Sequence, residues 1–233
     1  MTPTKLAVIG DGKMGRAVRE LAPDAGFDVV AFLGEHEVTR TGPTDVQLAG
    51  AEVAIEFTVP SAAAANVSAC ARAGVAVVCG TTGWDAELAA VSAAVAAGDG
   101  ALLWSPNFSL GVQIFARIVE CASAEFARTP GVFDAHIIDT HHAAKKDAPS
   151  GTARLLAGRA RDGLGADVPV TSVRTGHVPG THEIIFDGAF EQIRLTHTAR
   201  DRRVFAAGAL AAARWIVGRK GVFTMDDLLG GSK

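Results

Sequence analysis

The residues best able to do acid–base chemistry stand together in one polar segment, residues 139–153, which reads DTHHAAKKDAPSGTA. Two histidines and two lysines fall within six residues of it: His141, His142, Lys145 and Lys146. A histidine near its ordinary pKa gives or takes a proton at neutral pH, and an ammonium group pairs with an anion. The segment therefore predicts a site for a small acidic substrate, although a solvated polar loop would have the same composition.

A helix start follows these side chains. Pro149 does not fit a helix interior, whereas Ser150 or Thr152 can cap a helix N-terminus. The main-chain N–H groups near Gly151 and Thr152 would then face an anion such as a substrate carboxylate. A zinc site is the weaker alternative, because adjacent histidines do not easily share one ion and no cysteine or H-x-x-x-H spacing lies nearby. We therefore predict no metal.

A second motif, G-x-G-x-x-G, lies near the start of the chain at Gly10, Gly12 and Gly15. It follows the apolar run Leu6–Ile9 and opens a helical pattern from Met14. In that context the glycines allow a tight turn, close approach of a pyrophosphate and helix–strand packing. The motif predicts dinucleotide binding; a glycine-rich turn without a ligand is the alternative.

The residues that would choose between NADH and NADPH are less clear. The motif is usually completed by an acidic residue about 20 positions on, which binds the ribose. Glu35 is the nearest carboxylate, one or two positions late after the predicted strand Asp28–Leu33. No arginine immediately follows that strand, although Lys13 and Arg16 could pair with a 2′-phosphate. Both cofactors remain open, as does contact of Glu35 with the adenosine ribose.

Two kinds of element must position these residues. Over the first hundred residues short apolar runs alternate with helical stretches, which predicts a parallel sheet with helices on both faces. After Pro106 we predict a long helix, a strand, a helix from about Thr152 and three consecutive strands, typical of an open antiparallel or mixed sheet. A last helix, Val204–Val217, returns to the first pattern. We predict an α/β protein in which residues 109–203 are an α+β domain inserted into a Rossmann-type domain, residues 1–108 and 204–233.

Composition excludes several classes of protein. The chain has 233 residues, 48% hydrophobic and 20% charged, which is typical of a folded domain and not of disorder. Its net charge of −3 argues against nucleic acid or an anionic membrane as a partner. Its three cysteines lack C-x-x-C spacing and predict buried thiols. With no signal-peptide pattern and no uncharged apolar run of roughly 20 residues, we expect a soluble, cytoplasmic protein.

The run H-H-x-x-K-x-D-A-P-S-G-T-A closely resembles the signature of the dihydrodipicolinate reductase family. The glycine motif and residues 80–83, 106–111, 174–183 and 197–209 also match that family's pattern, so the resemblance covers essentially the whole chain. It implies an NAD(P)H-dependent oxidoreductase. Such an enzyme reduces 4-hydroxy-tetrahydrodipicolinate, via dihydrodipicolinate, to tetrahydrodipicolinate in the diaminopimelate pathway of lysine biosynthesis.

The resemblance also implies a role for individual residues. His141 would be the proton donor or acceptor and Lys145 the proton donor, while His142, Gly151 and Thr152 would bind the carboxylates of a small cyclic dicarboxylate. The cofactor would be held by three segments: Gly10, Asp11, Gly12, Lys13, Met14 and Gly15 at the pyrophosphate, Gly80, Thr81 and Thr82 near the nicotinamide ribose, and Ser105, Pro106, Asn107 and Phe108 beside the nicotinamide. The inserted domain would bind substrate and build a homotetramer.

The sequence departs from the family pattern at two positions, and two rival functions fit it less well. Asp139 stands where the family often has glutamate, and we expect it to keep much of that role; Glu56 replaces a more usual aspartate and receives no role. A related oxidoreductase, such as an aspartate dehydrogenase-like protein, would leave the H-H-x-x-K run without a purpose. A catalytically silent dinucleotide sensor would be expected to have lost that run.

Overall fold

The computed structural model describes residues 2–38 and 40–230. Its strands are β1 (Thr4–Ile9), β2 (Phe27–Leu33), β3 (Val53–Glu56), β4 (Ala76–Cys79), β5 (Ala101–Trp104), β6 (Phe133–His141), β7 (Val170–Arg174), β8 (Thr181–Gly188), β9 (Gln192–Thr198) and β10 (Gly221–Phe223). Its helices are α1 (Lys13–Leu21), α2 (Asp45–Leu48), α3 (Pro60–Arg72), α4 (Asp85–Ala97), α5 (Leu110–Phe126), α6 (Gly151–Leu164), α7 (Arg203–Ile216) and α8 (Met225–Leu228). The chain divides into two compact units, Met1–Ser109 with Arg203–Lys233, and Leu110–Arg202.

The first unit is built on a six-stranded sheet in the order β10-β5-β4-β3-β1-β2, with every neighbouring pair parallel. The strands β3 and β4 are buried along their whole length, as expected where helices cover both faces. Because the strands are parallel, their carboxyl ends share one edge, and the loops that follow β1, β3, β4 and β5 lie there. The predicted α/β class and parallel sheet are confirmed.

The second unit has a four-stranded mixed sheet in the order β7-β6-β8-β9. The pair β6–β7 is parallel, and β6–β8 and β8–β9 are antiparallel. Helices α5 and α6 pack on the sheet through an apolar core that includes Phe115, Ile137, Leu156 and Phe186. This is the predicted open mixed sheet.

The register of the strands in this sheet determines which polar residues of the second unit lie side by side. Asp139 on β6 pairs with Ser172 on β7 and with His182 on β8, and His182 pairs with His197 on β9. Paired residues of adjacent strands project to the same face. A row of polar side chains therefore crosses all four strands.

The structure adds short elements that the sequence patterns missed and moves one boundary. The four-residue helix α2 is held by a capping box between Thr44 and Gln47, and β10 is only three residues long. The sequence pattern predicts a strand over Phe133–Asp139, whereas β6 continues two residues further, so that His141 lies at a strand end. Among residues 2–38 and 40–230, no helix has the length and apolarity needed to cross a membrane.

Candidate active site

The glycine motif forms the turn between β1 and α1. Gly10 has a φ of +109°, and a Cβ there would lie 2.1 Å from the carbonyl oxygen of Phe57. A Cβ on Gly15 would lie 1.7 Å from the Gly10 carbonyl oxygen, whereas one on Gly12 would meet nothing within 4 Å. Gly12 precedes α1 and provides no side-chain cap. Two glycines are thus required by packing, and the third leaves open space at a helix N-terminus, where a pyrophosphate fits.

A cavity of about 430 Å³ lies beside this turn. Its lining includes Gly10, Asp11 and Gly12 from the motif, and Glu35 and Arg40 from the segment after β2. Arg40 comes seven residues after β2 ends at Leu33, too late to be recognised as following the strand. The lining therefore offers both a carboxylate and a guanidinium where the adenosine side of a dinucleotide would be read.

The other predicted cofactor segments follow β4 and β5 at the same edge of the sheet. The buried Thr81 accepts a hydrogen bond at Oγ1 from the main-chain N–H of Thr58, 2.8 Å away. A Cβ on Gly80 would lie 2.0 Å from the Phe57 ring, which makes an edge contact with the ring of Phe108. Phe57 and Thr58, which sequence reasoning did not single out, thus connect the three predicted segments.

The remaining predicted cofactor residues differ in exposure. Ser105 is buried and its hydroxyl donates to the Asn107 carbonyl at 2.9 Å; Asn107 Oδ1 accepts the N–H of Ser109 at 2.9 Å. Pro106, Thr82 and Lys13 are exposed, and Met14 is half-buried. The structure brings the segment after β1 to one cavity with Thr58, but the segments after β4 and β5 lie outside its lining.

Glu56 has a structural environment despite having no role in the sequence analysis. It is fully buried at the end of β3. Its oxygens accept hydrogen bonds from the Thr58 hydroxyl, from Asn66 Nδ2 at 3.3 Å and from the Cys79 thiol at 3.2 Å. Burial and the nearby Glu56 carboxylate raise the pKa of Cys79. Glu56 therefore joins the ends of β3 and β4 to helix α3.

The prediction of buried thiols is correct for two of the three cysteines. Cys70 and Cys79 are buried and free, and burial is the main reason that the pKa of Cys70 is raised to about 12. Cys121 on α5 is exposed. The prediction is wrong there because the cysteine lies on the solvent side of an amphipathic helix.

In the second unit the polar segment is organised around the carboxylate of Asp139, which is fully buried. Its Oδ1 faces the Ser150 hydroxyl at 2.8 Å, His141 Nδ1 at 3.0 Å and His182 Nε2 at 3.3 Å. Its Oδ2 accepts the Ser150 N–H and Arg174 Nη2, each at 2.9 Å, and the Ser172 hydroxyl at 3.3 Å. The two oxygens thus have separate sets of partners.

These partners keep Asp139 ionised. Burial by itself raises the pKa of the carboxyl group, but the Ser150 N–H and the Arg174 guanidinium outweigh burial and hold the pKa at about 2. The buried anion is therefore a fixed negative charge next to His141 and His182.

His141 itself is 8% exposed. Its Nδ1 lies near Asp139, although the N–H direction is off the line of a hydrogen bond. Its Nε2 lies on the side of Gly180, where an added Cβ would be only 3.0 Å away. Burial lowers the pKa of His141 more than Asp139 raises it, so the imidazole is neutral at pH 7. A neutral imidazole is suited to accepting a proton.

The neighbouring histidines are also affected by burial. His182 stacks edge-on against His141 with ring centroids 5.1 Å apart, and His197 lies 6.3 Å from His182. Burial lowers the pKa of His182 to about 4 and also lowers that of His197. These two rings are therefore uncharged at neutral pH.

Lys145 and the helix start complete the site. Lys145 is half-buried, and its Nζ pairs with Asp147 Oδ1 at 2.7 Å. The half-buried His142 donates its main-chain N–H to the Val178 carbonyl at 2.8 Å. Ser150 caps α6 by accepting the N–H of Ala153 at 3.1 Å.

The helix therefore starts where the sequence predicts, with Gly151 as its first residue and Thr152 as its second. Because Ser150 also touches Asp139, the cap ties the helix N-terminus to the buried carboxylate. The predicted residues of this unit lie together on the end of β6, the loop that follows it and the first turn of α6.

The atoms of Asp139, His141 and His182 are close enough together to bind a metal ion. The Asp139 carboxylate, however, already accepts the Arg174 guanidinium and both groups of Ser150. A second cation on that carboxylate would be repelled by Arg174, so we assign no metal and keep the prediction of none.

Sequence reasoning did not assign a role to Arg174, His182 or Arg40. Arg174 and His182 belong to segments that matched the family pattern, but their contacts with Asp139 depend on strand register. Arg40 carried no motif at all. Only the pairing of β6 with β7 and β8 would have indicated the first two.

Residues 4–108 match the family model for the N-terminus of dihydrodipicolinate reductase, and residues 111–229 match the one for its C-terminus. The 4-hydroxy-tetrahydrodipicolinate reductase of Alkalilimnicola ehrlichii is 36% identical over 97% of this chain and 99% of its own. That of Methanoculleus marisnigri is 39% identical over 93% of each. The fold is similar to that of a dipicolinate-bound dihydrodipicolinate reductase from Paenisporosarcina sp. TG-14, with a TM-score of 0.79, 21% identity and coverage of 95% of this chain and 97% of that one. The chain therefore belongs to the dihydrodipicolinate reductase family, a family of oxidoreductases that use a nicotinamide dinucleotide.

Proposed function

We propose that the chain is a 4-hydroxy-tetrahydrodipicolinate reductase that forms tetrahydrodipicolinate in the diaminopimelate pathway. One observation carries the proposal: the end of β6, the His–Lys loop and the first turn of α6 are joined at one buried carboxylate, Asp139. That arrangement collects a neutral imidazole, an ammonium group and a helix N-terminus, which suit a small dianion and proton transfer to it.

Two carboxylates on the substrate need at least two binding elements. His142, the Lys145 ammonium and the N–H groups of Gly151 and Thr152 are the proposed elements. In the described structure Asp147 pairs with the Lys145 ammonium, and a substrate carboxylate would compete for it. The local cations explain how a chain with a net charge of −3 binds a dianion.

The overall change adds one hydride and one proton to the substrate and releases one water. The hydride is what the dinucleotide supplies when it is bound in the first unit. Lys145 is the proposed proton donor, because an ammonium group carries N–H protons that it can donate. His141, neutral there, is the proposed acceptor of a proton at Nε2, and it can return that proton to the product.

The dinucleotide would be held through Gly10, Asp11, Gly12 and Gly15 at its pyrophosphate. Open space at Gly12 and the close packing at Gly10 and Gly15 support this fit. We propose that both NADH and NADPH are used. Glu35 can accept from ribose hydroxyls and Arg40 can pair with a 2′-phosphate, and both line the same cavity.

We also propose a homotetramer built through the sheet of the second unit. Val173 on β7 and Phe190 at the β8–β9 turn are exposed apolar residues that support it. Light scattering on purified protein tests this, and a monomer at working concentration would contradict it. The free cysteines are compatible with the reducing cytoplasm that this biosynthetic role implies.

The decisive experiment couples the preceding synthase to this protein and follows NADH and NADPH oxidation in parallel. We expect oxidation that requires both the synthase and this protein. One equivalent of dinucleotide should be oxidised for each product molecule formed. Absence of oxidation with either dinucleotide would overturn the function. Heat-inactivated protein gives the background rate.

A further inference from the structure

Arg174 is the last residue of β7, and its guanidinium makes several hydrogen bonds within the site that the predicted catalytic roles do not explain. Its side chain is 16% exposed. Its Nη1 donates to the main-chain carbonyls of Asp139 and Val173, each at 2.9 Å. Its Nη2 donates to Asp139 Oδ2 at 2.9 Å and to the Asp147 carbonyl at 2.7 Å. All four terminal N–H groups of the guanidinium therefore have protein acceptors.

Three of these four acceptors belong to Asp139 and Asp147, the two residues that contact the proposed proton-transfer groups. The Asp139 carboxylate faces His141 Nδ1 at 3.0 Å. The Asp147 carboxylate takes the Lys145 ammonium at 2.7 Å. One guanidinium therefore holds both the strand that carries His141 and the loop that carries Lys145.

We propose that Arg174 is a positioning residue of the reaction: it fixes His141 and Lys145 relative to each other by clamping Asp139 to the Asp147 carbonyl. The inference rests on the proposed function. A direct role in substrate binding does not fit, because the one remaining donor, Nε, is buried without a partner among the described residues.

The planar fork explains why the residue is arginine. Bonds to a carboxylate and to carbonyls in several directions need a rigid group with separated donors, which a lysine ammonium does not provide. Without Arg174, Asp139 keeps its Ser150 bonds, but the Asp147 carbonyl is released. We then expect the loop of residues 142–149 to lose its defined position. A misplacement of about 1 Å at reacting groups costs about 10²-fold in rate.

The test compares Arg174→Ala, Arg174→Lys and Arg161→Ala in the coupled assay. Arg161 is a matched control in the same unit, 59% exposed with only loose ion pairs at 3.9 Å. We expect kcat to fall about 10²-fold in Arg174→Ala, less in Arg174→Lys and not at all in Arg161→Ala. The KM for NADH should stay unchanged. Added guanidinium, well below denaturing concentration, should restore part of kcat to Arg174→Ala, whereas ammonium or urea should not.

A second measurement needs no activity. Hydrogen exchange of the loop amides should be faster in both Arg174 variants, with guanidinium slowing it again in Arg174→Ala. If Arg174→Ala does not fold, Arg174→Lys carries both measurements. Wild-type kcat in a folded Arg174 variant, a loss confined to substrate KM, or unchanged loop exchange would overturn the proposal. Inactive wild-type protein would instead overturn the proposed function and leave the exchange result to decide the role of Arg174.

Discussion

Lys145 and Lys146 are neighbours in the sequence that differ in what they contact. Lys145 is half-buried and paired with Asp147, whereas Lys146 is exposed. If Lys145 donates the proton, Lys145→Ala should lower kcat by about 10²–10⁴-fold, because no other ammonium group replaces it. The Kd for NADH, measured by fluorescence titration, should not change.

Lys146→Ala is the matched control for Lys145→Ala, since it removes the same charge from the same loop. We expect near wild-type kcat for it. Equal losses in the two variants would mean that the loop contributes only general positive charge, and turnover at the wild-type rate in Lys145→Ala would remove its assignment.

Glu35 and Arg40 line one cavity and carry opposite charges. If both cofactors bind there, Arg40→Ala should lower kcat/KM for NADPH by about 10-fold or more, the worth of one charge-assisted contact, and leave NADH almost unaffected. Glu35→Ala should instead lower kcat/KM for NADH more than kcat/KM for NADPH. The ratio of the two kcat/KM values measures each effect. An unchanged ratio in both variants would place the selecting residues elsewhere.

His182 should make stability depend on pH. The folded protein holds the pKa of His182 at about 4, against 6.5 for the free side chain, mainly through burial. The unfolded chain therefore binds more protons below pH 6.5, and the free energy of unfolding falls as the pH falls from 6.5 to 4, by up to about 3 kcal/mol. The lowered pKa of Asp139 adds its own loss only below about pH 3.8.

The variant His182→Gln keeps a donor toward Asp139 but does not titrate. Urea unfolding followed by circular dichroism at several pH values should give a shallower slope for it than for the wild type between pH 6.5 and 4. Parallel slopes would show that His182 is not the group responsible. His141 and His197, whose pKa values are also lowered, account for the slope that remains.

The sequence predicts individual site residues where they belong to a motif. It does not predict those whose contacts depend on strand register. His141, Lys145 and the α6 cap belong to one continuous run, so their proximity follows from chain connectivity. Asp139 meets Arg174 and His182 only because β6 pairs with β7 and β8 in one particular register. A shift of one residue would turn those side chains to the other face, and no local pattern in the sequence specifies that choice.

Among the secondary-structure elements, the turn between β1 and α1 has glycines with different roles. Gly15 is required by packing, whereas Gly12 is proposed to bind the cofactor. Gly15→Ala should cost several kcal/mol in the free energy of unfolding, because its Cβ would sit 1.7 Å from a main-chain oxygen and the helix must move. Gly12→Ala places its Cβ in open space and should leave stability within about 0.5 kcal/mol. It should nevertheless weaken NADH, since the methyl group occupies the pyrophosphate position.

Tryptophan fluorescence is a suitable signal for both the unfolding and the NADH binding of the two glycine variants, because Trp84, Trp104 and Trp215 all lie in the first unit. Thermal unfolding gives the stability of each glycine variant, and titration gives its Kd for NADH. Equal stability losses in both variants would mean that Gly12 is also a packing glycine. Unchanged Kd in Gly12→Ala would remove it from the cofactor site.

The elements themselves were largely predictable because their periods are clear. Buried parallel strands read as apolar runs, and the long helix predicted after Pro106 is α5. The short α2 and β10 were missed because four and three residues are too few for a period to show. The extension of β6 to His141 depends on its pairing with Arg174, a tertiary contact.

For the whole molecule, two units built on different sheets carry the two kinds of chemistry. The glycine turn and the cavity beside it belong to the first unit, and the Asp139 network belongs to the second. Each has its own apolar core. Binding of one ligand should therefore first stabilise the unit that holds its site, by an amount set by ligand concentration over Kd.

Hydrogen exchange with mass spectrometry tests this division. NADH at about 100 times its Kd stabilises its site by about 2.7 kcal/mol, and we expect slower exchange around Gly10–Gly15 and the segments after β2 and β3. Dipicolinate, a cyclic dicarboxylate of the proposed substrate class, should instead slow exchange in residues 141–152. Benzoate, with a single carboxylate, is the control and should protect neither region at the same concentration. Dipicolinate protection confined to the glycine turn would contradict the assignment of the substrate site, because the turn offers a dianion a helix N-terminus but no Lys145.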